Sequence, residues 1–343
     1  QPDFEPAYCH RIVAYADLGE HDRAEEMFYL AQQLDEDCPH CFCHVGLSLA
    51  ARGSHEQAIT CWQRALEIEP DYPGVNQRIA QAYRAQGNLD RAREHYLLEI
   101  REDPGNTDLL FELGELLMLA GDHEAATAKF RQVIELDPDQ AAAHFALAEV
   151  LLQTKRPELA LESLAVGADL EPDFAMLNLK FGEAYLLTGE DRSALPYLEK
   201  AQVQDPQSES ALMALGSCLL RLNRPEKAAD CFRRLLAIDE NAPQAHHNLG
   251  VCCYMSGRPE NALEHFLRAV ELKPDFAMAM HKAALACIRL GRWRRAEALL
   301  SDAMKLAPES EVLTQLHSRL WRLRWAQRLR KLVRSVSWLW TRP

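Results

Sequence analysis

The sequence predicts an all-α solenoid built from helix-turn-helix repeats, because one pattern of 34 residues recurs nine times over residues 5–310 without insertion or deletion. A second observation is a column of alanine that all nine repeats share: Ala24, Ala58, Ala92, Ala126, Ala160, Ala194, Ala228, Ala262 and Ala296. A third is a proline that follows this alanine in seven repeats: Pro70, Pro104, Pro138, Pro172, Pro206, Pro274 and Pro308. Repeats in constant phase present the same surface to each neighbour, so the period indicates a stack.

Residues 107–140 illustrate how one repeat forms two helices. Leu113 and Leu117 follow helical spacing, and Gly121 is placed to end the first helix in a left-handed conformation. Phe130 belongs to the inner face of a second helix, which ends before Pro138 because proline cannot continue it. Such a hairpin cannot bury its apolar faces alone, so it must pack against its neighbours.

Two further columns predict close packing within each hairpin. The eighth position of the repeat is mostly small: Ile12, Gly46, Ala80, Gly114, Ala148, Gly182, Gly216, Gly250 and Ala284. The twenty-fourth position is large: Phe28, Trp62, Tyr96, Phe130, Leu164, Leu198, Phe232, Phe266 and Leu300. A small residue on the first helix leaves room for the large side chain on the second.

With these columns in register, residues 5–310 resemble the tetratricopeptide repeat family. The resemblance implies a right-handed superhelix whose first helices line a concave groove for protein or peptide ligands. Three positions depart from the family pattern: Lys155 and Asn223 replace the capping glycine, and Pro196 lies inside a second helix. Proline there is expected to bend the helix or to cost about 3 kcal/mol.

The resemblance places a column of glutamates, Glu115, Glu149 and Glu183, on the groove beside apolar positions. The apolar residues expected next to them are Phe111, Met118, Phe145, Leu152, Leu179 and Leu186. An acidic and apolar strip suits a protein or peptide with Lys or Arg among hydrophobic residues. The alternatives are ordinary solvated glutamates and a groove that contacts another subunit broadly.

Further along the expected groove are two histidines, His247 and His281, with Tyr254 near them. A pH-sensitive contact is one interpretation, because histidine changes its charge near neutral pH. The other interpretation is that both histidines are neutral polar side chains of the groove wall.

Residues 311–343 are predicted to form a capping helix that continues into a basic amphipathic segment. Leu313, Leu316, Leu320 and Leu323 form one apolar stripe, which would cover the last repeat. A second surface contains tryptophan, leucine and arginine: Trp321, Trp325, Arg328, Leu329, Leu332 and Trp340. Eight Lys/Arg face a single acid in this region, so the segment suits a membrane surface, an acidic protein, or self-packing into the acidic groove.

The charge balance argues against nucleic acid as a partner. The chain has a net charge of −13, and its acidic excess lies in residues 1–310, whereas phosphates require a cationic surface. Neither a phosphate-binding loop nor a dinucleotide fingerprint is present, and the carboxylates repeat with the surface rather than converge on one site. We therefore expect no catalytic residues, no cofactor and no small-molecule substrate.

Ten cysteines are present, and most lie within helical patterns, where a free cysteine acts as a small apolar residue. The dense segment Cys38-Pro39-His40-Cys41-Phe42-Cys43-His44 lacks a second ligand pair, so we expect small residues at a helix junction and no metal. Cys38, His40 and Cys43 are expected to project toward the groove, with Cys9 on the preceding first helix. These cysteines favour a reducing compartment and a cytoplasmic location, with peripheral membrane attachment as the alternative.

The leading interpretation is a non-enzymatic scaffold or adaptor that binds a protein or peptide in its groove and assembles a complex. One alternative is a membrane-recruited assembly factor that uses the basic C-terminal helix. Another is a substrate-recognition arm of an enzyme, for example of the glycosyltransferase type, on another chain or on a part that was trimmed away. The chain does not start with methionine and lacks a signal-peptide pattern at Gln1, so its start is expected to be processed or trimmed.

Overall fold

The computed structural model describes residues 5–33, 38–322 and 325. Two compact units are present, Gln1–Pro172 and Asp173–Pro343, called here the N-terminal and C-terminal units. In the N-terminal unit, the described helices are α1 (Glu5–Asp17), α2 (His21–Gln32), α3 (Pro39–Ala51), α4 (His55–Ile68), α5 (Val75–Ala85), α6 (Leu89–Glu102), α7 (Thr107–Leu119), α8 (His123–Leu136), α9 (Ala141–Gln153) and α10 (Pro157–Leu170). Together they form five consecutive hairpins.

The C-terminal unit continues the same pattern with four hairpins. Its helices are α11 (Leu177–Thr188), α12 (Asp191–Gln204), α13 (Glu209–Arg221), α14 (Pro225–Ile238), α15 (Pro243–Met255), α16 (Pro259–Leu272), α17 (Ala277–Arg289) and α18 (Trp293–Leu306). A final helical segment follows at residues 311–322. Strands are absent from the described residues, and helices pack in series along each unit, which confirms the predicted all-α solenoid.

Each hairpin turn is formed by a residue in the left-handed region followed by an N-cap. At the α7–α8 turn Gly121 has φ +77°, and its N–H donates to the carbonyl of Met118 at 3.0 Å. Asp122 then accepts a hydrogen bond from the N–H of Ala125 at 3.1 Å, which caps α8. Lys155 and Asn223 adopt the same conformation, with φ +57° and +58°, so the turn is kept where the glycine is missing.

The hairpin interior is closed by the alanine column together with the small and large columns. All nine alanines are fully buried. Gly216 lies against the ring of Phe232, and a methyl group at this glycine would come within 2.6 Å of Phe232 Cζ. The same relation holds between Gly114 and Phe130, so the sequence columns correspond to direct contacts.

Within each unit, stacking between hairpins places the second helix of one hairpin against the first helix of the next. In the N-terminal unit, Leu110, Val133 and Ala143 form one buried cluster that joins α7, α8 and α9. In the C-terminal unit a larger cluster extends from Leu179 to Cys252. These shared cores make neighbouring hairpins depend on one another for stability.

Pro196 does not interrupt its helix, since α12 is continuous from Asp191 to Gln204. The helix is thus not broken at this proline, and the expected bend or cost stays a prediction. Proline in the second turn removes one backbone hydrogen bond, and the buried contacts of Ala194 and Leu198 on both sides hold the helix in place.

The final helical segment buries Leu313, Leu316 and Leu320 in one cluster with residues of α17 and α18. It thereby covers apolar surface of the last hairpin. Leu323 lies outside the described residues. Within the described ranges, each helix falls short of the length and apolar character that crossing a bilayer requires.

Candidate functional site

The first helices α7 and α9 contact each other in the N-terminal unit and hold two of the predicted glutamates, Glu115 and Glu149. Phe111 and Met118 are partly exposed beside them, whereas Phe145 and Leu152 are buried. The ring of Phe145 turns into its own hairpin and packs against Gly167 of α10. The exposed part of this surface is thus narrower than the sequence alone indicates.

Both glutamates already have partners within the N-terminal unit. Arg84 of α5 forms an ion pair with Glu115 at 3.1 Å, and these side chains are 32% and 41% exposed. Glu149 accepts a hydrogen bond from Gln153 at 3.1 Å. A basic ligand must therefore compete with Arg84 for Glu115.

Sequence reasoning missed Glu112, a carboxylate of this surface that accepts hydrogen bonds from three side chains. Gln77 and Gln81 of α5 donate to its oxygens at 2.9 and 3.1 Å, and the hydroxyl of Tyr96 donates at 2.7 Å. Burial, together with this bond, raises the pKa of Tyr96 above its usual value. The sequence contained a signal for the contact between Gln81 and Glu112, because these residues are separated by 31 positions, as are Arg84 and Glu115.

The third predicted glutamate, Glu183, lies in an open groove of the C-terminal unit with a volume of about 500 Å³. This acidic groove is lined by Glu183, Glu209, Ser210, Met213, Ala214, Leu235, Asp239, Ala242, Pro243 and Gln244. Three carboxylates surround apolar side chains there. Lys180 lies 3.3 Å from Glu183 on the same helix. One lysine beside three carboxylates leaves the net charge of the groove negative. Glu209 and Asp239 were missed because they lie at the helix ends, outside the positions that the family resemblance indicates.

Two of the remaining predicted groove residues lie beside Glu183 on α11: Leu179 is buried, and Leu186 is partly exposed. Leu179 belongs to the core cluster, and Leu186 packs against it. Both leucines therefore contribute to packing around α11. The apolar residues that line the acidic groove are different ones.

His247 is buried between two aromatic rings, with centroid distances of 5.6 Å to Phe266 and 5.1 Å to Phe276. Burial lowers its pKa to about 4, and Lys282 adds to this effect. The same two causes lower the pKa of His281. Both rings are therefore neutral near neutral pH, which favours the interpretation as neutral side chains over the pH-sensitive contact.

Tyr254, the third predicted residue of this region, is partly exposed on α15. The guanidinium of Arg289 on α17 lies 5.2 Å from the centre of its ring, a cation–π contact. Arg289 also donates a hydrogen bond to the Tyr254 carbonyl at 3.3 Å. These contacts fix the tyrosine as part of the packing between two first helices.

The C-terminal surface is described only at its beginning. Trp321 and Trp325 are 59% and 46% exposed, and their ring centroids are 5.6 Å apart. Both tryptophans thus remain available for contact while Leu313, Leu316 and Leu320 are buried. The other predicted residues of this surface lie outside the described residues: Arg328, Leu329, Leu332 and Trp340.

The cysteine-rich segment differs from expectation in two respects. Cys41, and not Cys43, turns toward Cys9, and the two form a disulfide with a Cα–Cα distance of 5.4 Å. Cys43 instead contacts the guanidinium of Arg78. The expectation of thiols at these positions is wrong for Cys9 and Cys41, because α1 and α3 pack closely at this point. A cytoplasmic location, which relied on thiol cysteines, stays a prediction.

The fold and its paired-helix surfaces define a helical repeat protein of the α-solenoid class. Two tetratricopeptide repeat profiles match residues 117–180, 179–246, 214–277 and 254–320. A TPR repeat profile matches residues 46–83, and another tetratricopeptide repeat profile matches residues 77–107. The chain belongs to the tetratricopeptide repeat family. No functionally curated protein matches it.

Several solved structures have a similar fold. The APC/C hetero-tetramer Cut9-Hcn1 aligns with a TM-score of 0.60 and 15% identity, covering 87% of this chain and 59% of that chain. A tetratricopeptide repeat protein from Parabacteroides merdae aligns with a TM-score of 0.58 and 13% identity, covering 72% of this chain and 98% of that chain. PilF from Pseudomonas aeruginosa aligns with a TM-score of 0.53 and 20% identity, covering 62% of this chain and 97% of that chain. At these identities the likeness shows the fold, and this chain spans 59% of the Cut9-Hcn1 chain.

Proposed function

We propose that this chain is a non-enzymatic interaction scaffold that binds a basic, partly apolar protein segment in its acidic groove. The observation that supports the proposal is the grouping of Glu183, Glu209 and Asp239 around Met213 and Leu235. Carboxylates attract Lys or Arg, and the apolar floor accepts the hydrophobic residues between them. Membership in a repeat family whose hairpins leave long surfaces free for partners agrees with this function.

The expected affinity is moderate and sensitive to salt. Exposed ion pairs contribute about 0.2–1 kcal/mol each, and a ligand cation must displace Lys180 from Glu183. Three carboxylates together then account for roughly a tenfold change in affinity or somewhat more. Screening by salt reduces this part of the binding and leaves the apolar part.

The test uses a short fluorescein-labelled peptide in which Lys and Leu alternate, and fluorescence anisotropy as the readout. The triple variant Glu183→Gln, Glu209→Gln and Asp239→Asn should raise the Kd about tenfold at low salt and weaken the salt dependence. A peptide with Glu in place of Lys should bind neither protein.

The matched control removes the same charge from the exposed side of α10. It combines Glu158→Gln, Glu162→Gln and Asp169→Asn, all of which are exposed on the second helix of a hairpin. This control should keep the affinity within twofold of the original. Equal loss in both triple variants, or no loss in the groove variant, would rule out the acidic groove as the binding surface.

The glutamates of the N-terminal unit are tested separately by Glu115→Gln with Glu149→Gln. Because Arg84 already pairs with Glu115, we expect this double variant to weaken peptide binding less than the groove variant. A larger loss than in the groove variant would move the proposed site to the N-terminal unit.

A second candidate function, recruitment to an anionic membrane, is favoured by the exposed pair Trp321 and Trp325. Flotation of the full chain with phosphatidylserine vesicles tests it. Trp321→Ser with Trp325→Ser should reduce the floated fraction if the tryptophans insert at the interface. Equal flotation of both proteins would exclude this role of the two tryptophans.

A further inference from the structure

Three cysteine sulfurs from two helices meet in one buried cluster of the N-terminal unit. Cys9 lies on α1, and Cys38 and Cys41 lie at the start of α3. All three Sγ atoms are within 4.8 Å of one another, and the Sγ atoms of Cys9 and Cys38 are 3.5 Å apart. In the present structure Cys9 and Cys41 form a disulfide, and Cys38 lies outside it.

Local structure at the start of α3 directs a backbone N–H at the sulfur of Cys38. Cys38 is the N-cap residue, Pro39 occupies the first turn, and the Cys38 sulfur accepts a hydrogen bond from the N–H of Cys41 at 3.2 Å. The partial positive charge of a helix N-terminus stabilises an anion at this position. The C-x-x-C spacing thus brings two sulfurs onto one helix end, and the packing of α1 against α3 adds the third.

We propose that the reduced form of this cluster is a binding site for one soft metal ion, with Cys9, Cys38 and Cys41 as thiolate ligands. Thiolates select Zn²⁺ and Cu⁺ among the common biological cations. Zinc–sulfur bonds of about 2.3 Å in a tetrahedron place the sulfurs about 3.8 Å apart. The three Sγ atoms already lie within 4.8 Å of one another, so side-chain rotation after reduction of the disulfide can bring them to this spacing.

Binding and the disulfide exclude each other. A metal ion forms three metal–sulfur bonds when the three thiols lose their three protons, and a water molecule completes a zinc tetrahedron. While the disulfide between Cys9 and Cys41 is present, only the Cys38 sulfur of the cluster can bind a metal ion. The disulfide must therefore first be reduced to two thiols. In the assay a phosphine supplies these two electrons and is oxidised to the phosphine oxide.

The surroundings limit the site to a small ligand. Cys9, Cys38 and Cys41 are 4%, 8% and 1% exposed, so a peptide thiol or an organic cofactor cannot reach all three sulfurs. Cys43, two residues beyond Cys41, contacts Arg78 and is not part of the cluster. Cys43 is therefore a suitable control for the chemistry of the same segment.

The experiment titrates the full chain, reduced with a phosphine under argon, with Co²⁺ as a spectroscopic probe and then with Zn²⁺. We expect one Co²⁺ per chain, a sulfur-to-cobalt charge-transfer band in the near ultraviolet, and displacement by Zn²⁺. A parallel arm uses Cu⁺ in competition with a Cu⁺-selective chelator, and the tighter of the two ions identifies the preferred metal. Cys38→Ser should weaken binding at least tenfold, and Cys43→Ser should leave it unchanged.

Two results would overturn the proposal. One is the absence of binding by Co²⁺, Zn²⁺ and Cu⁺ to a chain whose ten cysteines all titrate as thiols. The other is unchanged binding in the triple variant Cys9→Ser, Cys38→Ser and Cys41→Ser. Circular dichroism of each variant verifies that the helices are intact, so loss of binding is not confused with unfolding.

Discussion

Replacing Gly216 by alanine tests whether the contact between the small and large columns sets the spacing of each hairpin. The added methyl group would lie 2.6 Å from Cζ and 2.7 Å from Cε1 of Phe232, which is fully buried. Ordinary carbon–carbon contacts are about 3.5–4.0 Å, so the ring or the helix must move by about 1 Å. This movement occurs inside a packed core that has little free space.

The expected loss of stability follows from two opposing effects. Overpacking a core in this way costs about 1–3 kcal/mol. Alanine is favoured over glycine within a helix by about 1 kcal/mol, which offsets part of the cost. The difference leaves a net loss of about 0–2 kcal/mol, measured by urea denaturation followed by far-ultraviolet circular dichroism.

A compensating change in the same hairpin makes the test specific. Repeat 5 already combines Ala148 with Leu164, both fully buried. The double variant Gly216→Ala with Phe232→Leu recreates this pair, and it should be more stable than the sum of the single effects predicts. Gly105→Ala, whose methyl group would have only Asp103 Oδ1 near it at 3.9 Å, should change stability by less than about 0.5 kcal/mol. A Gly216→Ala variant that is more stable than the unchanged chain, or additive effects in the double variant, would refute this account of the packing.

Two further predictions concern single residues. Lys155→Gly should stabilise the N-terminal unit by about 1 kcal/mol, because Lys155 has φ +57° and a β-carbon disfavours this conformation. Asn223→Gly, at φ +58°, should give a smaller gain in stability because asparagine tolerates this conformation better than lysine does. Equal urea midpoints for Lys155→Gly and the unchanged chain would contradict the first expectation. Folding lowers the pKa of His247 from 6.5 to about 4, so its contribution to stability is complete above pH 6.5 and is lost as the pH falls toward 4. His247→Phe should reduce the decline of the unfolding free energy over this interval, and an unchanged pH profile would show that His247 is not its cause.

Packing within one hairpin was predictable because it depends on residues at constant spacing. Gly216 and Phe232 occupy columns that recur in every repeat, and the structure places them in direct contact. Gly121 was predicted to cap α7, and its left-handed conformation confirms this. The conformation of Lys155 follows from the neighbouring repeats rather than from its own residue type, since the helix–helix geometry requires the turn.

The candidate site was less predictable, because its contacts join different helices. The ion pair of Arg84 with Glu115 reduces the free charge that the glutamate column indicated. Phe145 turns into its own hairpin, and Asp239 joins the acidic groove from the end of a second helix. Such relations depend on the rotation of each helix about its axis, which a column of residue types does not specify.

By itself, the sequence determined the repeat length, the helix pairs and the residues that close each hairpin, because a stack of similar units demands the same local packing each time. Only the tertiary structure decided which cysteine of α3 forms the disulfide with Cys9. Cys41 and Cys43 differ by two positions on α3, which corresponds to a rotation of roughly 200° about the helix axis. The packing of α1 against α3 selects Cys41 for this approach, and Cys43 turns toward Arg78.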